Sequence, residues 1–171
     1  MPFCKKADLI GISSYASTAP RAIQIIKFLK DKNTQNPIVW GGVHATISPE
    51  DCIKHVDIVC VGEGEMAILD LTKALEDKKP INNIKNLWIN EKDTLYPKGH
   101  EKGTSKIIKN PVRPTIDNLD ELPFADYEIQ DHYLLENNNL RRFREKDLSG
   151  AIFFLTGRGC PYGCTYCSNN T

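Results

Sequence analysis

Pro37-Ile38-Val39-Trp40-Gly41-Gly42-Val43-His44-Ala45-Thr46 runs from a short apolar stretch straight into a glycine pair. Such a run reads as a buried strand ending in a tight turn. The same grammar recurs on both sides. Upstream, Asp8-Leu9-Ile10-Gly11-Ile12 leads into the polar loop Ser13-Ser14-Tyr15-Ala16-Ser17-Thr18, and downstream Asp57 to Val61 leads into Gly62-Glu63-Gly64-Glu65. Between them, a helix is expected from near Pro20, a first-turn position, with Ala22, Ile25, Ile26 and Leu29 on one stripe. Ser48 followed by Pro49, Glu50 and Asp51 signals a short second helix, and a third runs from about Met66 to Glu76. Alternating buried strands and helices predict parallel β-α-β units with right-handed crossovers, so all three loops leave one edge of the sheet. Ligands of open α/β sheets bind at that carboxyl edge, which makes residues 13–18, 41–46 and 62–65 the expected lining of one crevice.

The rest of the chain sets bounds on function. Its 171 residues have room for one domain and part of a second. The longest apolar run, Ala151 to Leu155, is far too short to span a bilayer, and the N-terminus has no apolar signal region, so a cytoplasmic location without membrane contact is expected. Lys and Arg total 22 against 22 Asp and Glu, which leaves no whole-molecule field to attract nucleic acid. Six cysteines in a chain long enough to bury a core, in a reducing compartment, suggest metal or cluster chemistry rather than a disulfide framework.

Residues 81–150 differ in kind. Ile84 to Ile89 and Thr94 to Tyr96, separated by Asn90-Glu91-Lys92-Asp93, read as a hairpin. Lys98 to Arg113 holds five basic residues and one acidic; Asp117 to Glu136 holds seven acidic residues and no Lys or Arg. With Pro111, Pro114 and Pro123, this predicts an extended solvated connector, the alternative being a docking segment between domains. Ala151 to Thr156 is expected to be a final buried strand leading into Gly157-Arg158-Gly159-Cys160-Pro161-Tyr162-Gly163-Cys164-Thr165-Tyr166-Cys167.

Three cysteines spaced C-x3-C-x2-C can turn their thiolates to a common point, with Gly159 and Gly163 supplying unusual backbone angles. Close-spaced thiolates hold Fe–S clusters, and three of them leave one iron of a [4Fe–4S] cube open to another ligand. Zinc would need a fourth ligand from Cys4, Cys52, Cys60 or His44. A Cys164–Cys167 redox pair leaves Cys160 unexplained, and inert burial suits a Gly/Pro-rich loop poorly.

Arg158 to Cys167 resembles the cluster loop of the radical S-adenosylmethionine enzymes at every defining position of its C-x3-C-x-aromatic-C pattern. The resemblance implies that Cys160, Cys164 and Cys167 bind three irons of a [4Fe–4S] cluster and that S-adenosylmethionine chelates the fourth. It also places Tyr166 near the adenine, at the start of a β/α barrel whose first strand is 151–156, and implies an electron donor such as flavodoxin or ferredoxin and a small-molecule substrate. The amino-terminal half is similar to the cobalamin-binding domain of one subgroup, on Gly11-Ile12-Ser13-Ser14, Gly41 to Thr46 and Val61 to Glu65, with Arg113-Pro114 and Leu119 to Phe124 like its interdomain linker.

The expected fold is therefore α/β: a partial flavodoxin-like or Rossmann-like parallel sheet of the cobalamin-binding type over residues 1–80, a hairpin and linker over 81–150, and the start of a radical S-adenosylmethionine domain over 151–171. Small residues let a large planar ligand approach, so Ser13, Ser14, Gly41, Gly42, Val43, His44, Thr46, Gly62, Glu63 and Gly64 are the expected cobalamin contacts, with Ser13, Ser14 and Thr46 as hydrogen-bond donors. No Asp-x-His-x-x-Gly motif accompanies His44, which reads as a loop contact rather than a cobalt ligand. Glu63 and Glu65, heading a helix, suit its positive terminus better than acid–base catalysis. His55, His100 and His132 are isolated. Similar cobalamin domains have two further β-α units before the strand near Asp8, and the barrel is missing after residue 171, so the expectation is a fragment without complete catalysis. Two alternatives are a cobalamin- or partner-binding module with a vestigial cysteine loop, and a zinc-stabilised interaction protein.

Overall fold

Three short apolar runs become β1 (Ile10–Ser13), β2 (Ile38–Gly41) and β3 (Ile58–Cys60), paired parallel with Ile10 opposite Ile38 and Val39 opposite Ile58. The computed structural model describes residues 2–32, 36–91, 106–124, 131–137, 139–148, 157–165 and 167. A short α1 (Pro2–Lys6) precedes the sheet, and α2 (Ala19–Asp31), α3 (Val43–Ile47), α4 (Pro49–Cys52) and α5 (Glu65–Glu76) connect or follow its parallel strands. Pro20 does sit in the first turn of α2. That helix buries Ala19, Ala22, Ile26 and Leu29, while Ile25, expected on the same stripe, is 41% exposed. Spacings of three and four keep the buried four on one side of a 3.6-residue turn, and Ile25 lies just beyond it.

Alternate residues of a strand face opposite sides of the sheet. Ile38 and Trp40 accordingly pack with the α2 face and Val59, whereas Val39, Ile58 and Cys60 pack with Ala67 and Leu71 of α5. Burial on both sides is why these strands are continuously apolar rather than alternating.

The sheet then departs from the expected plan. Two residues beyond Glu76, the last of α5, Lys78 has a φ of 54°, and the bonds from Lys79 N to Ala74 O and from Lys78 N to Leu75 O form the helix-ending motif usually given to glycine. Residues 77–86 return across the sheet with Ile81 and Ile84 buried. The chain re-enters at Leu87, opposite Cys60, so β4 (Leu87–Glu91) is antiparallel to β3. Its other neighbour is β5 (Lys106–Lys109), with Trp88 opposite Lys109. The order is β1-β2-β3-β4-β5. The expected hairpin partner, 94–96, lies outside the described residues, and the strand that pairs with β4 is 106–109. One compact unit runs over Met1–Thr115, beyond the boundary expected near residue 80, because 87–91 and 106–109 complete the sheet.

A second unit covers Ile116–Asn170. Within the expected connector it contains a hairpin, β6 (Tyr133–Glu136) with β7 (Asn139–Arg142). Arg141 donates to Glu136 Oε2 at 3.0 Å and to Asp147 Oδ1 at 2.9 Å, and the Arg144 N–H donates to Asp147 Oδ2 at 2.9 Å. The Arg141 bond pulls the Asp147 carboxyl down from 3.8 to about 2. A lowered carboxyl stabilises the fold above its unfolded value and loses that effect as pH falls through the folded one. The Asp147 tie is thus expected to persist above about pH 4 and to vanish towards pH 2. A carboxyl-carbon NMR titration of Asp147 checks this, and a midpoint at 3.8 or higher contradicts it. The strand expected at 151–156 lies outside the described residues. Among those residues, no helix is long and apolar enough to cross a membrane.

Candidate functional site

Parallel pairing brings the ends of β1, β2 and β3 to one edge, and the loops there are tied to one another by backbone and side-chain bonds. Ser14 is the first tie. Its N–H donates to Gly41 O at 3.4 Å, its C=O accepts from the His44 N–H at 3.1 Å, and its Oγ accepts from Trp40 Nε1 at 2.9 Å. Ser14 is buried and Trp40 completely so; Ser13 beside them is exposed. Of the two serines, Ser13 is the one that faces outward.

The second segment, read as a loop over 41–46, is a turn at Gly41-Gly42 followed directly by α3. Gly42 makes this possible: its φ of 87° and ψ of −175° belong to a region that only glycine enters freely. A Cβ there would lie 2.6 Å from Ser13 Oγ and 3.1 Å from Ser14 N. Thr46 in α3 donates from Oγ1 to Gly42 O at 3.1 Å, and the same Oγ1 accepts from the Gly62 N–H at 3.0 Å. Its hydroxyl hydrogen, expected for a ligand, is used inside the protein and braces the second loop against the third. Ser48 does begin α4, through its C=O, which accepts from the Asp51 and Cys52 N–H groups, without a side-chain cap.

The third loop is held from behind. Asn86, buried and with φ of 70°, donates from Nδ2 to Val61 O at 2.8 Å. Its Oδ1 accepts from the Arg113 N–H at 3.1 Å, and Arg113 Nη2 pairs with Asp70 of α5 at 2.5 Å. Neither Asn86 nor Asp70 was singled out by sequence reasoning. The only signal near them was the Arg113-Pro114 pair, read as part of a linker. Glu63 is half-buried and Glu65 exposed at the start of α5, the favourable end for a carboxylate.

His44 carries the one polar side-chain atom among the described residues that is buried without a hydrogen-bond partner, its Nδ1. Its ring tilts against Trp40 at 5.6 Å, and Val43 beside it is exposed. A buried acceptor or donor left unpaired costs about 1–3 kcal/mol. The orphan, the glycine turns and the small residues of the three strand ends together suit a large ligand with an amide periphery laid on this edge. Cys60 Sγ lies 3.7 Å from where a Gly64 Cβ would be, but burial pushes its thiol up to about 11, as it does that of Cys52. The two thiols lie in different core clusters, Cys52 with Trp40 and Cys60 with Ala67 and Leu71.

In the second unit, all three cysteines of the C-x3-C-x2-C loop are free thiols, Cys160 half-buried and Cys164 and Cys167 exposed. Gly159 has the expected positive φ, 77°. A bond from Cys167 N to Cys164 O closes a turn at 3.2 Å, but among the described residues no three His, Cys, Asp or Glu side chains are gathered to hold a metal. The donors suit an iron–sulfur cluster in kind; they do not converge. Tyr166 lies outside the described residues.

Comparison with known proteins then gives the class. Residues 4–72 match the B12 binding domain family, which covers α1 through the first part of α5. An uncharacterized methyltransferase of Pyrococcus horikoshii is 27% identical over 95% of this chain and 32% of its own length. An anaerobic magnesium-protoporphyrin IX monomethyl ester cyclase of Synechocystis is 26% identical over 96% of this chain and 29% of its own length. The cobalamin-dependent radical SAM methyltransferase TokK of Streptomyces tokunonensis is 24% identical over 94% and 22%. The solved structure of the radical S-adenosylmethionine methyltransferase TsrM of Kitasatospora setae with cobalamin and [4Fe–4S] cluster bound aligns at a TM-score of 0.48 and 17% identity, over 54% of this chain and 20% of that one. The chain spans about a third of the length of the first curated relatives it matches. Residues 4–72 are thus similar to the B12 binding domain, and nearly the whole chain is similar to proteins that include a cobalamin-dependent radical SAM methyltransferase.

Proposed function

We propose that this chain holds cobalamin on the edge formed by β1, β2 and β3 and serves a radical S-adenosylmethionine enzyme whose cluster is carried by Cys160, Cys164 and Cys167. The observation that carries the reading is the joining of three small-residue strand ends, Ser13-Ser14, Gly41-Gly42 and Gly62-Glu63-Gly64, into one hydrogen-bonded platform. On it, the positive-φ turns at Gly42 and Gly62 let the strand ends close up against one another, and Ser13 is the outward hydroxyl for a ring amide. The His44 imidazole offers a further polar contact, while buried Trp40 keeps water from beneath the platform. Cobalamin supplies methyl transfer or radical rearrangement chemistry when bound, and a reduced [4Fe–4S] cluster supplies the electron that cleaves S-adenosylmethionine. Tyr166 belongs to the adenine side of that site, with a flavodoxin or ferredoxin as electron donor and a small molecule as substrate, in the cytoplasm.

The test has two arms. Titration with hydroxocobalamin is expected to give saturable binding with a shifted corrin spectrum. Anaerobic reconstitution with iron and sulfide is expected to give a cluster absorbance that is lost when Cys160, Cys164 and Cys167 are all changed to Ala. A flat titration removes the cobalamin assignment; equal iron uptake by the triple variant removes the cysteine assignment. A second reading is a cobalamin-binding module with a cysteine loop that carries no cluster. Binding in the first arm with no cluster in the second selects it.

A further inference from the structure

The Gly62-Glu63-Gly64 loop has both of its ends tied to the same pair of side chains. It enters from Val61, whose C=O accepts from Asn86 Nδ2 and whose N–H donates to Asn86 O at 2.8 Å. It leaves into α5, where Asp70 pairs with Arg113. The circuit closes because Arg113 bonds to Asn86 twice, through its N–H at 3.1 Å and Nη1 at 3.3 Å, and Nη1 also donates to Lys85 O at 3.0 Å. The Asn86 N–H donates to Pro111 O at 2.9 Å, so the chain carrying Arg113 is anchored beside it. A Cβ on Gly62 would meet Asn86 Nδ2 and Val112 Cγ1, each at 3.2 Å, and Gly62 itself has a φ of 80°. The loop therefore rests directly on this circuit.

We propose that Asn86 and Arg113 are positioning residues that fix the Gly62–Gly64 loop at the height at which it meets a corrin ring. Gly62 and Gly64 contribute no side chains of their own, so the placement of their peptide groups depends on what holds Val61 and α5. Asn86 can do this where most residues cannot. Asparagine tolerates a left-handed φ, and its amide donates to one segment while accepting from another. Arg113 adds a planar fork that reaches a carboxylate, a backbone carbonyl and the Asn86 amide together. The inference deepens the cobalamin reading and rests on it for the identity of what is positioned.

The test compares the full chain with Asn86→Asp, Arg113→Lys, Arg113→Ala and the exchanged pair Asp70→Arg with Arg113→Asp. Asn86→Asp keeps the shape and the acceptor for Arg113 but removes the donor to Val61 O. Each protein is measured well below its melting temperature, so that loss of folded protein does not enter. Amide hydrogen exchange at Gly62, Glu63 and Gly64 is expected to speed up about tenfold in Asn86→Asp and Arg113→Ala, the ratio for about 1.4 kcal/mol, while the Thr46 and Ser48 amides keep their rates. Hydroxocobalamin affinity is expected to fall by a similar factor, with partial recovery in Arg113→Lys and little in the exchanged pair, which restores the ion pair but not the side-chain bonds to Asn86 and Lys85. Unchanged exchange and affinity alongside a lowered melting temperature mean a stabilising role only and overturn the proposal. If the unaltered chain binds no hydroxocobalamin, the cobalamin reading fails by itself, and the exchange rates alone decide whether these residues position the loop.

Discussion

Gly42→Ala is expected to melt about 10 °C or more below the unaltered chain and to bind hydroxocobalamin poorly, if at all. The backbone at φ 87° and ψ −175° costs a residue with a side chain about 1–3 kcal/mol by itself. The new methyl then presses on three atoms. Ser13 Oγ, 2.6 Å away, can swing aside, but Ser14 N at 3.1 Å and Ser14 O at 3.2 Å are backbone and already bonded to Gly41 and His44. Relief must come from moving the first loop away from the second, which opens the platform itself. Gly11→Ala is the matched control: that glycine has nothing within 4 Å of its Cβ position and no positive φ, so it is expected to melt with the unaltered chain or slightly above it. Thermal melting by circular dichroism and a hydroxocobalamin titration of both variants decide the matter. Equal melting of the two contradicts the glycine requirement at 42.

Trp40→Ala is expected to cost about 3–5 kcal/mol, the range for emptying a buried aromatic site. Trp40 is completely buried at the centre of the core under α2, with Val59 beside it, and it faces His44 and His55 at ring distances of 5.6 and 6.4 Å. Its indole N–H is the donor to Ser14 Oγ, so truncation also strips a buried hydroxyl of its partner. Trp40→Phe separates the two effects. It keeps most of the volume and loses only the bond, for about 1 kcal/mol. Urea unfolding of the three proteins gives both differences, and a Phe variant as unstable as the Ala variant would show that packing is not the main term. Because Ser14 links β1 to β2 at the edge, the Phe variant is also expected to loosen hydroxocobalamin binding more than its small stability loss suggests.

Much of this was readable in the residues. The three apolar runs, their parallel order, the edge they share and the glycine turns at 42 and 62 all follow from local patterning, since burial on both faces leaves a continuous apolar signature. The cysteine spacing was equally plain. The parts that escaped were set by partners distant in sequence. Leu87–Glu91 pairs with Lys106–Lys109, and the intervening residues obscure that register. Ile84 read as the first residue of a hairpin strand and Ile81 as part of the stretch leading to it, although both cover the core before the strand begins at Leu87. Thr46 read as a ligand donor, and its hydroxyl turned out to join Gly42 to Gly62.

Residue order alone settled the three parallel strands, where the chain must turn through glycine and which edge collects the loops, because each of these depends on periodicity and backbone sterics within a few residues. Tertiary structure alone decided that β4 and β5 close the sheet antiparallel and that Ser14, Thr46, Asn86 and Arg113 brace the platform. Those outcomes depend on which buried donor finds which acceptor, and the pairs that meet are 16 to 43 positions apart. At such separations the folded chain sets the geometry, and no local pattern records it.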